Sequence, residues 1–373
     1  MIGFYRSAFL GDNVIAIRAL YTLRKLYDCP IIIYTNAQGM QIFSRLNDGF
    51  DKTRGFICID TETMSKQELL AHINAKQFDY FILTQPNRWR CKLLSASNAK
   101  CIISFATAAN LLNPRIHKVF FSRAFSAIPY HKALLKLVRK IDPTRYDRAE
   151  IAYSHFSYPI DECAKARVLS ALDNALAKAS SLITMGDMPP QARVQAQDFA
   201  RITTPIICLN PFVKSTRINL PLESYIAVAQ ELATHYPQML IVLLHYKGAP
   251  TITLQSSMPN LLVFSNDDNL AHIIELLRLS CLLISPSTGT IHLADMLRIN
   301  TIGIYNRKDS RLWLGESMQK EHLLLLEKPL EQMSKHEIAT ATQQLLILVK
   351  SLLPTLLPPP QKPQISPVKR VND

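Results

Sequence analysis

The chain has 373 residues, of which 48% are hydrophobic and 19% are charged, so it is long enough to bury a large core and to form two domains. This composition excludes intrinsic disorder for most of the chain. The 42 Lys and Arg residues outnumber the 29 Asp and Glu residues, and the resulting net charge of +13 favours an anionic partner such as a phosphate ester, a nucleic acid or lipid headgroups.

In the first half of the chain, short β-rich runs alternate with helical patterns. A helix is predicted over residues 14–27, where Ile17, Leu20 and Leu23 fall on one face. Continuous apolar runs of four or five residues are typical of buried parallel strands. Such strands are predicted at residues 2–5, 31–35, 56–59, 80–84 and 101–105.

The same alternation restarts after residues 180–204, which contain Pro189-Pro190 and suit a connection between domains. Helices are predicted near residues 222–235, 269–279 and 290–298. Strands are predicted at residues 206–209, 240–244, 261–264, 282–285 and 302–305. Two successive βα series of this kind predict an α/β fold with two Rossmann-like, doubly wound sheets that face each other across a cleft.

These elements predict the domain organisation. We expect an N-terminal domain over residues 1–185 and a C-terminal domain over residues 200–345, with a last helix at roughly 333–352. Six prolines follow between residues 354 and 367, so residues 353–373 are predicted to form a disordered tail.

The first segment with chemical interest is Arg6-Ser-Ala-Phe-Leu-Gly-Asp12-Asn, between the first strand and the first helix. In an open α/β sheet, the carboxyl end of a strand faces the ligand crevice. Gly11 allows the backbone to turn there. Asp12 is then either a helix N-cap, worth about 1 kcal/mol, or a general base that points into the cleft.

The second segment is Ser285-Pro-Ser-Thr-Gly-Thr-Ile-His292, which also leads from a strand end into a helix. Its hydroxyl groups and free backbone N–H groups suit a phosphate or diphosphate. Ser and Thr caps are common, however, and a single His one turn into a helix is often structural. The residues concerned are Ser287, Thr288, Gly289, Thr290 and His292.

The third segment runs from Leu209 to Glu223 and again joins a strand to a helix. Lys214, Ser215 and Arg217 place two cations and a hydroxyl in this loop. They are either solvated, as loop charges usually are, or they neutralise a departing diphosphate.

Together these three segments resemble glycosyltransferase family 9, the family of the ADP-heptose:lipopolysaccharide heptosyltransferases. The resemblance runs in order from residue 1 to about residue 320. Its most specific part is a Thr-Gly-x-x-His-Leu-Ala pattern followed by a strand that ends Gly-x-Tyr. The matching residues are Leu10-Gly11-Asp12, Asn210-Pro211 with Arg217 and Leu220-Pro221, the stretch 287–293, and Ile302-Gly303-Ile304-Tyr305.

The resemblance implies a GT-B fold in which the first domain holds the acceptor and the second holds the sugar nucleotide. It implies that Asp12 takes the proton from the acceptor hydroxyl in a single inverting displacement without a metal cofactor. Arg6 corresponds to a basic position near the acceptor or the leaving phosphates. Lys214 and Arg217 correspond to a cation on the diphosphate. Thr288, Gly289 and His292 correspond to residues that bind the phosphates and sugar of the donor.

Two departures from the family pattern concern the donor. Ser287 stands where many members carry Asp, and the segment after Tyr305 reads Asn-Arg-Lys-Asp instead of a Gly-Pro-Thr type of sequence. The donor sugar is therefore either held differently or replaced by that of another nucleotide sugar.

The leading hypothesis is a glycosyltransferase that moves heptose from ADP-heptose onto a lipopolysaccharide-core or related glycan. Its expected partners are the nucleotide sugar and an anionic glycolipid at the inner membrane face, with no stable protein partner. The positive charge of the first domain would attract that lipid. The residues that cluster in sequence are Arg88, Arg90, Lys92, Arg115, Lys118 and Arg123.

Two other classes stay open. A catalytically inactive GT-B protein that binds sugar nucleotide or glycan is suggested by Ser287, and a nucleic-acid-binding protein by the charge, although no recognised nucleic-acid module occurs. The seven cysteines form no Cys-x-x-Cys pair, which favours free thiols in a reducing cytoplasm over a zinc site. We expect a cytoplasmic protein without a membrane span, and leave open a peripheral contact with the inner membrane.

Overall fold

The computed structural model describes residues 1–49, 55–121, 128–182, 204–214, 216–254, 258–267 and 269–356. Its first lobe is a six-stranded parallel sheet in the order β3-β2-β1-β4-β5-β6, together with helices α1 to α6. The strands are β1 (Ile2–Tyr5), β2 (Ile31–Thr35), β3 (Phe56–Asp60), β4 (Tyr80–Leu83), β5 (Cys101–Phe105) and β6 (Ile116–Val119). The helices are α1 (Leu10–Leu26), α2 (Ala37–Phe43), α3 (Lys66–Asn74), α4 (Arg88–Ser95), α5 (Tyr130–Arg139) and α6 (Pro143–Arg148).

The second lobe repeats this architecture, and helix α7 (Glu162–Leu182) precedes it in the chain. Its parallel sheet has the order β12-β11-β10-β7-β8-β9, which is the strand order of the first sheet read in the opposite direction. The strands are β7 (Ile206–Leu209), β8 (Leu240–Tyr246), β9 (Leu261–Asn266), β10 (Ser280–Pro286), β11 (Asn300–Tyr305) and β12 (Leu323–Leu325). The helices are α8 (Leu222–His235), α9 (Leu270–Leu279), α10 (Gly289–Leu297), α11 (Arg307–Trp313) and α12 (Lys335–Leu356).

The central strands of both sheets are apolar on both faces because helices cover both sides. All residues of β1, β2 and β7 are buried. Most of the helices begin at a side chain that accepts a hydrogen bond from the first turn, as Ser65 does for α3, where Glu68 completes a capping box. The exceptions include α1 and α10, which begin without a side-chain cap.

The strands predicted from the sequence are confirmed, and two further edge strands, β6 and β12, complete the sheets. The predicted α/β fold with two doubly wound sheets is therefore correct. Helix α12 differs from the prediction, since it continues through Pro354 to Leu356 and buries Leu353. The predicted tail thus loses its first four residues to the helix, and residues 357–373 lie outside the described residues.

Contacts between the lobes are extensive. Helix α1 of the first lobe packs against α10 of the second, and one hydrophobic core cluster continues from lobe to lobe. Arg298, after α10, donates to the Tyr153 carbonyl at 2.6 Å and to the Phe156 carbonyl at 3.2 Å. Helix α7 ends before the proposed domain limit at residue 185, yet it packs against α9 and β9 of the second lobe. The limits of 1–185 and 200–345 stay a prediction.

Within the described residues, no helix combines the length and the hydrophobicity that crossing a bilayer requires.

Candidate active site

The candidate site lies where the carboxyl ends of the two sheets meet. In each sheet the strand order reverses beside the first strand of the lobe, between β1 and β4 and between β7 and β10. Ligands of doubly wound sheets bind at such switch points. The loops after β1, β7 and β10 carry the three segments singled out in the sequence, so the topology places all three at these two points.

Arg6 and Asp12 form an ion pair at the base of the cleft. The Arg6 side chain is fully buried, and its guanidinium donates to Asp12 Oδ1 at 3.0 Å and to the Asp12 carbonyl at 2.6 Å. It also donates to the Tyr130 hydroxyl at 3.1 Å. The two contacts, one to a carboxylate oxygen and one to the backbone carbonyl, hold Asp12 in position. The side chain of Asp12 remains 21% exposed and faces the cleft.

Asp12 is not a helix N-cap. Phe9 occupies the N-cap position of α1, and its side chain makes no capping hydrogen bond. Asp12 lies inside the first turn, where its negative charge interacts favourably with the positive end of the helix. The side chain of the next residue, Asn13, donates to the Ala8 carbonyl at 2.9 Å. The capping interpretation of Asp12 is therefore wrong.

Gly11 and Gly289 allow the first turns of α1 and α10 to approach each other closely. A Cβ atom at Gly11 would lie 2.7 Å from His292 Cδ2 and 3.3 Å from the Cα of Gly289. A Cβ at Gly289 would lie 2.7 Å from the side chain of Leu10. Both helices begin without a side-chain cap, so both direct unsatisfied backbone N–H groups toward the same region.

In the second lobe, neutral hydrogen bonds organise the loops. Asn210 donates to Ser285 Oγ at 3.1 Å and to Thr288 Oγ1 at 3.2 Å. The two hydroxyl oxygens are themselves 3.2 Å apart. Asn210 lies just after β7, Ser285 is near the end of β10 and Thr288 follows β10, so this network joins the two strand ends at the switch point. Thr288 is thereby oriented at the start of α10.

His292 lies between the lobes on α10. It is buried, and its Nδ1 atom has no hydrogen-bond partner within the described part of the chain. Burial lowers the pKa of His292 to about 4, an effect that the negative charge of Asp12 only partly opposes. The imidazole is therefore neutral at pH 7. His131 of α5, whose pKa burial also lowers to about 4, lines a cavity of about 20 Å³ together with His292.

An open cavity of about 460 Å³ separates the two lobes at this point. The first lobe contributes Asp12 and the N-terminus of α1. The second lobe contributes the N-terminus of α10, the loop after β7 and helix α11. The lining residues are Phe9, Gly11, Asp12, Ile15, Thr216, Arg217, Ile218, Ser287, Thr288, Gly289, His292, Asn306, Asp309, Trp313 and Pro329.

Most of the residues predicted from the sequence line this cavity, but three do not. Arg6 lies beneath Asp12 with no exposed surface, so its guanidinium holds the carboxylate and does not reach a ligand. The Thr290 hydroxyl pairs with the Tyr246 hydroxyl at 3.0 Å and is buried. Lys214 is exposed and is not part of the lining, and Ser215 lies outside the described residues.

Sequence reasoning missed the contribution of α11. Asn306 caps this helix by accepting from the Asp309 backbone at 2.6 Å, and its amide donates to Asp309 Oδ2 at 3.0 Å. Burial raises the pKa of the Asp309 carboxyl above its ordinary value. The Asn-x-x-Asp spacing after a strand ending in Tyr305 was the available signal, because it combines a helix cap with a first-turn carboxylate at a carboxyl strand end.

Among the described residues, no three His, Cys, Asp or Glu side chains are grouped so that they could hold a metal ion.

No protein-family profile matches the sequence, and no curated protein matches it. Solved structures are similar to it. A glycosyltransferase family 9 protein from Veillonella parvula has 16% identity and a TM-score of 0.65, over 93% of this chain and 97% of the other. The E. coli heptosyltransferase WaaC with ADP has 14% identity and a TM-score of 0.60, over 95% and 99%. E. coli ADP-heptose lps heptosyltransferase II has 13% identity and a TM-score of 0.58, over 94% and 99%.

At these identities the likeness shows the fold. The chain has the GT-B architecture of these glycosyltransferases, with two Rossmann-like lobes that face a central cleft. The predicted fold and the predicted resemblance to family 9 are confirmed.

Proposed function

We propose that this protein is an inverting glycosyltransferase that transfers heptose from ADP-heptose to a lipopolysaccharide-core or related glycan without a metal cofactor. The observation that carries the proposal is the shared cavity. An arginine-held carboxylate, Asp12, and the uncapped N-terminus of α10 line the same 460 Å³ space between two lobes of the GT-B fold.

Asp12 acts as the general base on the acceptor side. Its Oδ1 atom is held by Arg6, while Oδ2 accepts no hydrogen bond from any residue that the structure describes. Oδ2 takes the proton of the acceptor hydroxyl as that oxygen forms its bond to the anomeric carbon. The bond from the anomeric carbon to the diphosphate oxygen breaks on the opposite face, and the electron pair leaves with the nucleoside diphosphate.

The second lobe stabilises the leaving diphosphate. The first-turn N–H groups of α10 and the Thr288 hydroxyl present donors to it, and the helix adds its positive end. Arg217 is the cation of the lining and balances the charge that develops as the bond breaks. His292 is neutral here, so it contributes a ring nitrogen and packing instead of a charge.

Asp309 replaces the carboxylate that the family pattern places at position 287. Ser287 and Asp309 line the same cavity, one at the end of β10 and the other in the first turn of α11. A carboxylate in this wall accepts hydrogen bonds from sugar hydroxyls, which fixes the orientation of the donor sugar. The sugar contact is thereby supplied from a neighbouring loop.

The test of the reaction is the substitution Asp12→Asn, with Asp173→Asn on the exposed surface of α7 as its matched control. Removal of a general base lowers the transfer rate about 100 to 10,000-fold. The variant should still bind ADP-heptose, because the donor contacts come from the second lobe. A folded Asp12→Asn protein that transfers at the rate of the control would refute the role of Asp12.

The test of the donor is a comparison of ADP-heptose with UDP-sugars and GDP-sugars by thermal shift, followed by turnover assays. We expect the largest stabilisation from ADP-heptose. Preferential stabilisation by another nucleotide sugar would be consistent with the proposed transfer reaction but would identify a different donor. Stabilisation without turnover on any glycan acceptor would instead favour a catalytically inactive sugar-nucleotide-binding protein.

A further inference from the structure

One stretch of the first lobe carries many cations and no acidic residue of its own, although Lys100 pairs with Asp79 and Arg139 pairs with Asp147. Residues 80–141 contain no Asp or Glu at all, and this stretch forms β4, α4, β5, β6 and α5. Much of the net charge of +13 therefore comes from one continuous part of one lobe. Its cations are Arg88, Arg90, Lys92, Lys100, Arg115, Lys118, Arg123, Lys132, Lys136, Arg139 and Lys140.

Large apolar side chains are exposed in the same region. Leu111 and Leu112 lie in the loop between β5 and β6, with 53% and 95% of their surface exposed. Phe120, directly after β6, is 76% exposed. The leucines precede the edge strand β6 and Phe120 follows it, so the two exposed groups lie at opposite ends of this strand. Isolated exposed leucines are common, but two adjacent ones at a loop tip in an acid-free region are not explained by folding.

Hydrogen bonds hold this loop against the end of α4, and two cations that follow the leucines in sequence take part in them. Asn113 donates to Ser95 Oγ at the end of α4, at 2.6 Å. Lys118 Nζ donates to the Asn113 carbonyl at 2.7 Å, and Arg115 donates to the Ser97 carbonyl at 2.9 Å. Lys92 is exposed on α4, one turn before Ser95. The two exposed leucines, together with Arg115, Lys118 and the nearby α4 residue Lys92, are here called the Leu111–Leu112 surface.

We propose that the Leu111–Leu112 surface docks on an anionic lipid bilayer. Cations at the headgroup level are attracted to anionic lipids, while leucines at a loop tip enter the boundary with the acyl chains. A nucleic acid would engage the cations but offers no apolar phase for the leucines. This docking is independent of the proposed transfer reaction, because the surface lies beside the amino ends of β5 and β6 and the cleft lies at the carboxyl ends of the strands.

The experiment is flotation of the full-length protein with two kinds of vesicle, one of phosphatidylethanolamine with phosphatidylglycerol and one of phosphatidylcholine alone. Leu111→Ser with Leu112→Ser should lower the partition coefficient on anionic vesicles by about tenfold or more. Lys92→Gln should lower it by about fivefold. Ile347→Ser, at an apolar residue with 59% exposure in the second lobe, and Lys320→Gln are the matched controls and should bind like the unmodified protein.

Equal partition coefficients for the leucine variant and for Ile347→Ser would overturn the proposal. So would equal binding of the unmodified protein to anionic vesicles and to vesicles of phosphatidylcholine alone. Circular dichroism should show unchanged melting of the leucine variant, since the replaced side chains are exposed. Transfer to a water-soluble acceptor analogue, measured in the absence of vesicles, should not change. Failure of the docking proposal is therefore distinguishable from failure of the proposed enzymatic function.

Discussion

The two lobes have the same strand order, but their switch points are held together by different interactions, an ion pair in the first lobe and neutral hydrogen bonds in the second. In the first lobe, the residue that follows the first strand is a fully buried arginine, which carries a charged partner into the cleft. In the second lobe, the equivalent position after β7 is Asn210, which joins two hydroxyl groups through neutral hydrogen bonds. The same switch point of the same topology is thus built once from an ion pair and once from amide and hydroxyl groups.

The difference follows from what each side has to hold. A carboxylate that must accept a proton needs a permanent counter-charge to keep it in place, and a buried guanidinium with several acceptors supplies one. A diphosphate is itself charged, so its site needs hydrogen-bond donors that do not destabilise the protein when no ligand is bound. Backbone N–H groups at a helix start meet this need without an uncompensated buried cation.

The largest expected contrast is in stability. Arg6→Met removes the charged partner of Asp12 and the donors to Tyr130, so we expect the free energy of unfolding to fall by about 3 kcal/mol. Asn210→Ala should lower it by only about 1 kcal/mol, because Ser285 and Thr288 can still pair with each other. Urea denaturation of the two variants measures both values. Equal losses would contradict the proposed difference between the lobes.

Acid should weaken the contact between the lobes through His131 and His292. Both histidines have folded-state pKa values of about 4, below the unfolded value near 6.5. Between these limits the unfolded chain binds more protons, so their contribution makes stability fall as the pH decreases from 6.5 toward 4, by about 2 kcal/mol for each histidine at pH 5.

Urea denaturation at pH 7 and pH 5 tests this prediction. His292→Gln should reduce the loss between the two pH values by about 2 kcal/mol. His336→Gln, at an exposed position on α12, is the control and should leave the loss unchanged. An identical pH dependence in both variants would show that His292 is not held in its neutral form by burial.

The two glycines that face each other should tolerate a methyl group unequally. Gly11→Ala places a Cβ against the buried ring of His292 and the backbone of Gly289, so we expect a loss of about 1–2 kcal/mol and slower transfer. At Gly289 the three atoms nearest to a new Cβ are Cδ2, Cγ and Cβ of Leu10, and rotation of the Leu10 side chain moves the first two, so Gly289→Ala should cost less. Melting temperatures of the two variants compare these effects, and a larger loss for Gly289→Ala would reverse the expected order.

The smallest expected effect distinguishes binding of the donor sugar from binding of the nucleotide. Asp309→Asn removes a charged acceptor and should weaken binding of ADP-heptose by about tenfold. Binding of ADP, which lacks the sugar, should not change, so ADP is the control ligand. Isothermal titration calorimetry measures both affinities. Equal weakening of ADP and ADP-heptose would assign Asp309 to the nucleotide or to the structure of α11.

Apolar runs made the central strands predictable. The edge strands β6 and β12 were not predicted, for physical reasons. Strand β6 reads Ile-His-Lys-Val, and only Ile116 is fully buried, so its pattern lacks the continuous apolar character of a central strand. Strand β12 has three residues and depends on pairing with β11. Helix α12 passes the predicted end at residue 352 and includes Pro354, although a proline removes a backbone hydrogen bond and crowds the preceding turn; burial of Leu353 favours the continued helix.

The positions of the site residues at strand ends could be predicted from the sequence. The directions in which their side chains point could not. The positions of Asp12, Thr288 and Gly289 follow from the rule that ligands bind at carboxyl strand ends. Arg6 obeys the same rule by position, yet its side chain turns inward to Asp12. Thr290 turns to Tyr246, a residue 44 positions away in the sequence, and no local pattern records that partner.

The sequence by itself determined the two βα series, the chemical character of the loops after β1, β7 and β10, and the acid-free stretch over residues 80–141, because apolar periodicity and composition are local properties. Only the tertiary structure decided that Arg6 is a buried support, that α11 brings Asp309 into the cavity, and that Gly11 and Gly289 bring two helix N-termini together. The reason is that burial and hydrogen-bond partnership depend on residues far apart in the chain, which meet only when the two lobes pack.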